Sequence, residues 1–455
     1  MRRLLRGCWP WLGACAALGG CGEPAPAPFE YSRANIVVIS VDTLRADHLG
    51  SYGYGRETSP NVDRLAGESV RFERAFAPRG HTWPSLTAML TGLRPRTTNV
   101  RGPGELLAKG VPTLASVLRD AGYTTGAFLA NFCNPGVKLF ETARCGSDTT
   151  VAEAATAWLA ERRTGPFLLW LHLMAPHSPY RPPAAFDRFG DPDYRGAVDG
   201  GTPLLHRAYL EGRALDPADR ARAIALYDGE VLFSDFLVGQ LLEQLKRSGL
   251  ARETIVVFTA DHGEDLADHH EYWEHDCSIY DSTLQIPLLL RLPDGRGAGT
   301  SRERIVENVD LLPTLLDLVG VASPAGVEGR SLVPWLAQDE IDRDGTAVAE
   351  LYGREQGGEI LSLRTDRYRY VYNANGVVPQ CSPSGSRYPI EVEQLFDLAA
   401  DPGETHDRAA ELPEVAADLR RELLERYGPR GPSRPPLRAT DTETVERLRA
   451  LGYVN

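Results

Sequence analysis

The chain has 455 residues, of which 42% are hydrophobic, and a formal net charge of −13. That length supports a large core, divided most simply into one big α/β domain and a smaller lobe. The acidic balance, with arginines scattered rather than in a run, excludes nucleic acid as an expected partner.

Met1–Arg6 is a basic start and Gly7–Gly20 a short apolar stretch. The stretch is too short to span a bilayer, so residues 1–20 are set apart as a targeting signal. It ends in Leu18-Gly19-Gly20-Cys21, which resembles a bacterial lipobox. Cleavage before Cys21 and lipidation of its thiol would tether the protein to a membrane outside the cytoplasm, in the bacterial cell envelope. Residues 21–34 are then a tether, with Gly22–Pro28 extended and semi-rigid.

Asn35–Asp42 (NIVVISVD) is a continuous β-branched run ending on a carboxylate, the pattern of a parallel strand buried on both faces. Next comes Arg79-Gly-His-Thr82-Trp-Pro84, a turn entering a helix, with Pro84 suited to its first position and Gly92 to its end. Thr82 then sits just before a helix N-terminus, where an anion is favoured. Its hydroxyl is a poor nucleophile unless a metal or base activates it.

Pro112–Ala121 reads as a helix, Thr125–Ala130 as a strand, Val151–Arg163 as a helix and Phe167–Met174 as a strand. His172 lies inside that last strand and reads as a packed residue. His177 follows its carboxyl end. Tyr180–Pro217, rich in Pro and Gly, reads as an irregular lid over the site. Asp219–Arg247 is a long helix with a broad apolar face. It leads into Thr254–Asp261 (TIVVFTAD), a second buried strand ending on aspartate, followed at once by His262-Gly263-Glu264. His269 and His275 come shortly after. Asn308–Val319 is a helix despite Pro313. After Gly345, Ile360–Asn373 and Glu391–Asp397 alternate as antiparallel strands do. Pro429–Pro436 is a linker and Thr442–Leu451 a last amphipathic helix. The expected domains are 35–344 and a smaller C-terminal lobe with its tail, 345–455.

Ligands of open α/β sheets bind beyond the carboxyl ends of the strands. Asp42, Asp261 and His262 therefore converge, and that mix of oxygen and nitrogen donors suggests a divalent metal. Zn²⁺ or Mn²⁺ suits it better than Ca²⁺ or Mg²⁺. Beyond the signal the cysteines are Cys133, Cys145, Cys277 and Cys381, enough for two disulfides in an oxidising compartment. Cys133–Cys145 would close a short loop and leave Cys277–Cys381. The other two pairings stay open.

From about Asn35 to the C-terminus the chain resembles the sulfatase family of the alkaline phosphatase superfamily. The resemblance rests on Asn35–Tyr54, Thr58–Leu65, Thr82–Pro95, Leu171–Pro183, Tyr227–Glu264, Ile286–Leu292, Asn308–Val321 and Leu395–Thr405. It implies a mostly parallel central sheet flanked by helices, with a smaller C-terminal antiparallel sheet lobe. Family members carry Cys-x-Pro-x-Arg or Ser-x-Pro-x-Arg, whose first residue becomes formylglycine. Here Thr82-Trp83-Pro84-Ser85-Leu86 stands in that place, so no formylglycine is expected. Asp42 is followed by Thr43 rather than a second aspartate. The lysines, Lys109, Lys138 and Lys246, match none that line the family's sulfate.

The remaining set, Asp42, Thr82, Asp261 and His262, is similar to the metal ligands of lipid-phosphoryl-transferring relatives that use a threonine nucleophile. By the same resemblance His177 and His275 contact the substrate's anionic oxygens or protonate the leaving group, and His269 belongs with them as a substrate-binding candidate. The expected protein is a metal-dependent hydrolase or transferase of sulfate or phosphate esters, leaning to phosphate esters and diesters. Its substrate would be a small molecule, lipid or glycan. The alternative is a non-catalytic lipoprotein that binds sulfated or phosphorylated glycans or lipids.

Overall fold

The computed structural model describes residues 29–130, 139–161, 164–336, 345–352, 358–376, 378–381, 386–428 and 437–438. The targeting signal, most of the tether, Cys133, the Pro-rich linker and the C-terminal helix expected at Thr442–Leu451 lie outside them. Cys145 and Cys277 are each disulfide-bonded. The expected pairings fall on Cys133 and on the Cys381 side chain, outside the described set.

Eight strands form the central sheet. In chain order they are β1 (Asn35–Val41), β2 (Val70–Phe76), β3 (Thr124–Ala130), β4 (Thr142–Gly146), β5 (Phe167–Leu173), β6 (Thr254–Ala260), β9 (Gln285–Arg291) and β10 (Thr300–Glu307). A two-residue hairpin, β7 (Asp265–Leu266) with β8 (Trp273–Glu274), stands beside them. The sheet order is β10-β2-β9-β6-β1-β5-β3-β4. Only β9 runs against the others, antiparallel to both β6 and β2. The two strands read from their aspartates, β1 and β6, are adjacent and in register from Asn35↔Thr254 to Val41↔Ala260. Both are buried along their full length, which is why they carry unbroken apolar runs rather than alternation.

The longer helices among the described residues are α1 (Pro60–Gly67), α2 (Thr82–Thr91), α3 (Leu114–Asp120), α4 (Asp148–Ala160), α5 (Thr202–Leu210), α6 (Pro217–Arg247), α7 (Leu311–Leu318) and α8 (Pro413–Tyr427). Three differ from expectation for local reasons. Ser147 caps α4 through Thr150 N–H, so the helix starts earlier than Val151. The segment read as irregular contains α5. Thr82 itself opens α2, with His81 as the capping residue and Gly92 closing it at φ +65°. The His81 side chain makes no capping bond, and the Thr82 hydroxyl turns to Asp42 and His262.

The C-terminal lobe is a four-stranded antiparallel sheet of β11 (Ala347–Tyr352), β12 (Glu359–Arg364), β13 (Tyr368–Tyr372) and β14 (Glu393–Asp397), in that order. Helix α8 packs Ala416, Leu419 and Leu423 on one face of it. The other face meets Tyr272, Cys277, Ile279 and Tyr280, in the long loop that follows β6. The lobe therefore backs the loop that carries His275. Among the described residues no helix is long and apolar enough to cross a membrane.

Candidate active site

Asp42 and Asp261 end two neighbouring parallel strands, so their carboxylates emerge side by side. Asp261 Oδ1 is fixed by the N–H groups of His262 (2.8 Å) and Thr43 (3.3 Å). Tyr227 on α6 holds the first loop: its hydroxyl donates to Thr43 O (2.8 Å) and accepts from Arg45 N–H (3.0 Å). Arg45 then reaches across to the second loop, donating to Glu264 O (3.1 Å) and Asp268 (2.5 Å). Gly263 is required by crowding, since a Cβ there would lie 2.3 Å from Ser282 O. Helix α2 is tied to the same place by Ser85, whose hydroxyl donates to Asp261 O (2.5 Å) and accepts from Asn308 (2.7 Å).

Thr82 is thereby delivered to the two carboxylates. Its hydroxyl donates to Asp42 Oδ2 at 3.2 Å, and Oγ1 is 3.4 Å from His262 Nε2. That nitrogen is 3.5 Å from Asp42 Oδ1 and 3.6 Å from Asp261 Oδ2. These last two oxygens are buried and make no hydrogen bond. His262 Nδ1–H donates to Gly263 O (2.8 Å), so in the neutral ring Nε2 presents its lone pair to them. A tetrahedral ion with arms of about 2.0–2.1 Å spaces its donors about 3.3–3.4 Å apart. The spacings from His262 Nε2 to Thr82 Oγ1, Asp42 Oδ1 and Asp261 Oδ2, 3.4–3.6 Å, lie close to that value, and the donor chemistry suits a zinc-sized cation.

Electrostatics agree. Burial raises Asp42, but the surrounding imidazoles, His172 first and then His177 and His262, outweigh it and hold its carboxyl well below the usual range. Burial and the Asp42 charge push Asp261 far above that range. Burial and the His275 charge depress His262. Two facing buried carboxylates beside a neutral imidazole are what a bound dication relieves.

Asp42, His172 and Asp261 also bring donor atoms within 4.8 Å of one another. The histidine read as strand packing is thus part of the centre, with Nε2 3.7 Å from Asp42 Oδ2.

His275 and His177 join the site. The His275 ring is 4.5 Å from that of His262 and 5.0 Å from that of His177. Its Nδ1 is 3.0 Å from Glu264 Oε1. Burial opposes its charge, but Glu264, Asp276 and Glu274 push its pKa up to about 10. His177 Nδ1–H donates to Ser178 O at 2.5 Å. His269 is placed otherwise, stacked on Tyr280 at 4.0 Å with Nδ1 3.6 Å from Asp265. No contact among the described residues brings it alongside Thr82.

Three residues had no role in the sequence reading. His81 Nε2 and His275 Nε2 face Asp276 Oδ1, at 3.6 and 3.7 Å. Glu264 pairs with His275. Adjacency was the signal: His81 directly precedes Thr82, Asp276 follows His275, and Glu264 closes the Asp-His-Gly-Glu run.

A family model described as Sulfatase matches residues 34–321, and one described as N-sulphoglucosamine sulphohydrolase, C-terminal, matches 269–427. Arylsulfatase K of Gallus gallus is 25% identical, covering 88% of this chain and 83% of its own. Delta 4,5-hexuronate-2-O-sulfatase of Bacteroides thetaiotaomicron is 26% identical over 86% of each. The solved phosphonate monoester hydrolase of Agrobacterium radiobacter superposes with a TM-score of 0.68 at 22% identity, over 86% of this chain and 95% of that one, a likeness of fold. The match of the family model across more than half of the sequence, on the same sheet that carries Asp42 and Asp261, settles descent: the chain belongs to the sulfatase family, within the alkaline phosphatase superfamily.

Proposed function

We propose that this sulfatase-family hydrolase is a metal-dependent phosphate esterase, diesters included, that works through Thr82. One observation carries the reading. A threonine hydroxyl, which cannot become an aldehyde, stands 3.2 Å from Asp42 and 3.4 Å from His262 where the family carries its formylglycine precursor. A formylglycine hydrate can expel sulfate by collapsing to the aldehyde. A substituted threonine has no such exit and is cleared by attack at the central atom, which phosphorus permits.

A divalent cation held by Asp42, Thr82, Asp261 and His262 would supply positive charge that favours the Thr82 alkoxide and the ester's anionic oxygens. The rest is done by side chains. Asp42 Oδ2 orients the Thr82 hydroxyl by its hydrogen bond, the hydroxyl proton is lost to water, and the Thr82 oxygen bonds phosphorus in line. His275, an imidazolium pinned by Glu264, steadies the anionic oxygens. His177, with Nδ1–H committed to Ser178 O, presents Nε2, and its protonated form supplies the leaving oxygen with its proton. The phosphorus–oxygen bond to the alcohol breaks, and water then releases Thr82.

Sulfate esters are the second reading, favoured by the sulfatase names of the curated relatives. A purely binding protein finds no support, since the matched family is one of hydrolases and all four donors are in place.

The test is turnover of matched aryl phosphate, phosphodiester and aryl sulfate by the metal-loaded protein beside Thr82→Ala. Phosphate turnover lost in the variant supports the proposal. Preferential sulfate turnover replaces it with the second reading, and equal activity in Thr82→Ala overturns the nucleophile.

A further inference from the structure

The carboxylate of Glu274 lies outside the cation's donor set and outside the histidine cradle, yet two other segments meet on it. His206, on α5, places Nε2 2.7 Å from Glu274 Oε1. The Ser178 hydroxyl donates to the same oxygen at 3.3 Å. The Ser178 carbonyl is the group that accepts His177 Nδ1–H. Glu274 is also the chain neighbour of His275, and the two side chains part company there. Glu274 turns to α5 and Ser178, while His275 turns to Glu264 and His262.

The backbone at Glu274 carries a conformational cost. Glu274 has φ +148°, a backbone region that L side chains rarely adopt. Residues held in such regions persist only where their surroundings over-determine them, and they cluster at functional sites. Here the surroundings are visible. Glu274 is buried, and its carboxylate takes both donors on one oxygen. The rest of α5 packs by its apolar side: Leu205 joins the main core with Leu204 against it, Ala208 is buried, Tyr209 packs its ring 5.0 Å from that of Tyr272, and Leu210 is exposed. The helix belongs to the long insertion between β5 and α6, so it is the element best placed to meet whatever part of the substrate lies beyond the ester.

We propose that Glu274 is a positioning residue that couples the seating of α5 to the orientation of His177. When α5 is seated, His206 holds the carboxylate, the carboxylate holds Ser178, and Ser178 O fixes His177 with Nε2 towards the reacting group. When α5 lifts, the carboxylate loses its closest donor and the His177 loop loses its anchor. Recognition by the insertion is thereby converted into alignment of the proton donor, so part of the binding interaction appears in turnover. This rests on the role given to His177 under the proposed function.

The experiment compares Glu274→Ala, Glu274→Gln, His206→Ala and Ser178→Ala in the full-length metal-loaded protein. Kinetics on an aryl phosphate are run beside hydrogen exchange of residues 202–210. Glu274→Ala should lose kcat by about 10- to 100-fold with KM little changed, the scale of a small misplacement of a reacting group. Glu274→Gln should restore most of it, because the amide oxygen still accepts both donors. His206→Ala should speed exchange in α5 and also lower kcat. Ser178→Ala should lower kcat without loosening α5. Unchanged kcat in His206→Ala with a loosened α5 would overturn the coupling, as would Glu274→Ala that loses thermal stability alone.

Should no ester be turned over, the esterase reading fails by itself and the coupling is still decided. Solvent exchange of the His177 Nδ1 proton, followed by ¹⁵N–¹H NMR, should speed up in His206→Ala and in Glu274→Ala. Unaltered exchange in both would refute it.

Discussion

Ser40 Oγ lies 2.9 Å from His172 Nδ1, across the register that pairs these residues in β1 and β5. Trp170 Nε1–H, which can only donate, occupies the same Ser40 oxygen at 2.8 Å. Ser40 is fully buried, so its own hydrogen goes to His172 Nδ1. The neutral ring then carries its proton on Nε2 and turns N–H, not a lone pair, towards Asp42. His262 is the mirror case, with Nδ1–H given to Gly263 O and the Nε2 lone pair facing inward.

The two histidines therefore have different expected roles. X-ray absorption of the zinc-loaded protein should count one imidazole ligand, and the count should stay at one in His172→Asn. Metal affinity should fall by about 10- to 100-fold, as it does when a ligand's supporting partner is removed. Two imidazoles in the wild type, one of them lost in the variant, would make His172 a ligand.

Thr82→Ala and Asp261→Asn should separate chemistry from metal binding. Alanine at 82 removes the attacking oxygen and leaves the two carboxylates and His262, so turnover should collapse while bound metal persists. The expected scale is roughly the 10⁶-fold loss seen for a deleted covalent nucleophile. Asparagine at 261 keeps an oxygen for the His262 and Thr43 N–H groups but loses the charge. Elemental analysis should then find the metal gone. Retained metal in Asp261→Asn would remove Asp261 from the donor set.

What the sequence showed and what it hid have physical reasons. Strands β1 and β6 were legible because both faces are buried and the apolar run is unbroken. Asp42, Asp261, His262 and Thr82 followed, since strand ends and helix starts are local signals. Strands β2 (VRFERAF) and β10 (TSRERIVE) were not marked from their residues, because half-buried positions interrupt their apolar pattern. Helix α5 was hidden in a stretch whose Pro and Gly content reads as loop. His172 looked like packing because a fully buried strand position says nothing about which polar atom lies opposite. Only the Ser40↔His172 register supplies that. Glu274 was invisible for the same reason: its partners are 68 and 96 residues away.

The pH dependence follows from His275. Its ordinary value is 6.5, and in the fold it is pushed up to about 10, with burial opposed chiefly by Glu264. A raised histidine contributes stability that is fully present below about pH 6.5 and is lost as pH rises through about 10. In metal-free protein the urea midpoint should therefore decline between those values, and Glu264→Gln should flatten the decline. The basic limb of kcat/KM should move the same way, to lower pH in Glu264→Gln, because the cradle needs the imidazolium to hold an anion. A basic limb that stays put in that variant would remove His275 from anion recognition.

The last expectation concerns the joint between the two sheets. Arg94, just beyond α2, meets Glu307 at the end of β10 in a two-pronged pair, Nη1–Oε1 2.9 Å and Nη2–Oε2 2.5 Å. Both side chains are almost fully buried, at 4% and 8% exposure. The pair also captures Val348 of β11: Arg94 Nη1 donates to its carbonyl at 2.9 Å, and its N–H donates to Glu307 Oε1 at 2.8 Å. Arg94→Met would leave the Glu307 carboxylate buried without its cation, a loss of about 3–5 kcal/mol. Arg94→Met with Glu307→Gln should recover much of that, because the penalty comes from the stranded charge rather than from the missing pair. Denaturant unfolding of the two variants measures it, and hydrogen exchange of residues 347–352 reports whether the small sheet lifts first. A double variant no more stable than the single one would mean that Val348's lost partners, not the bare carboxylate, dominate the cost.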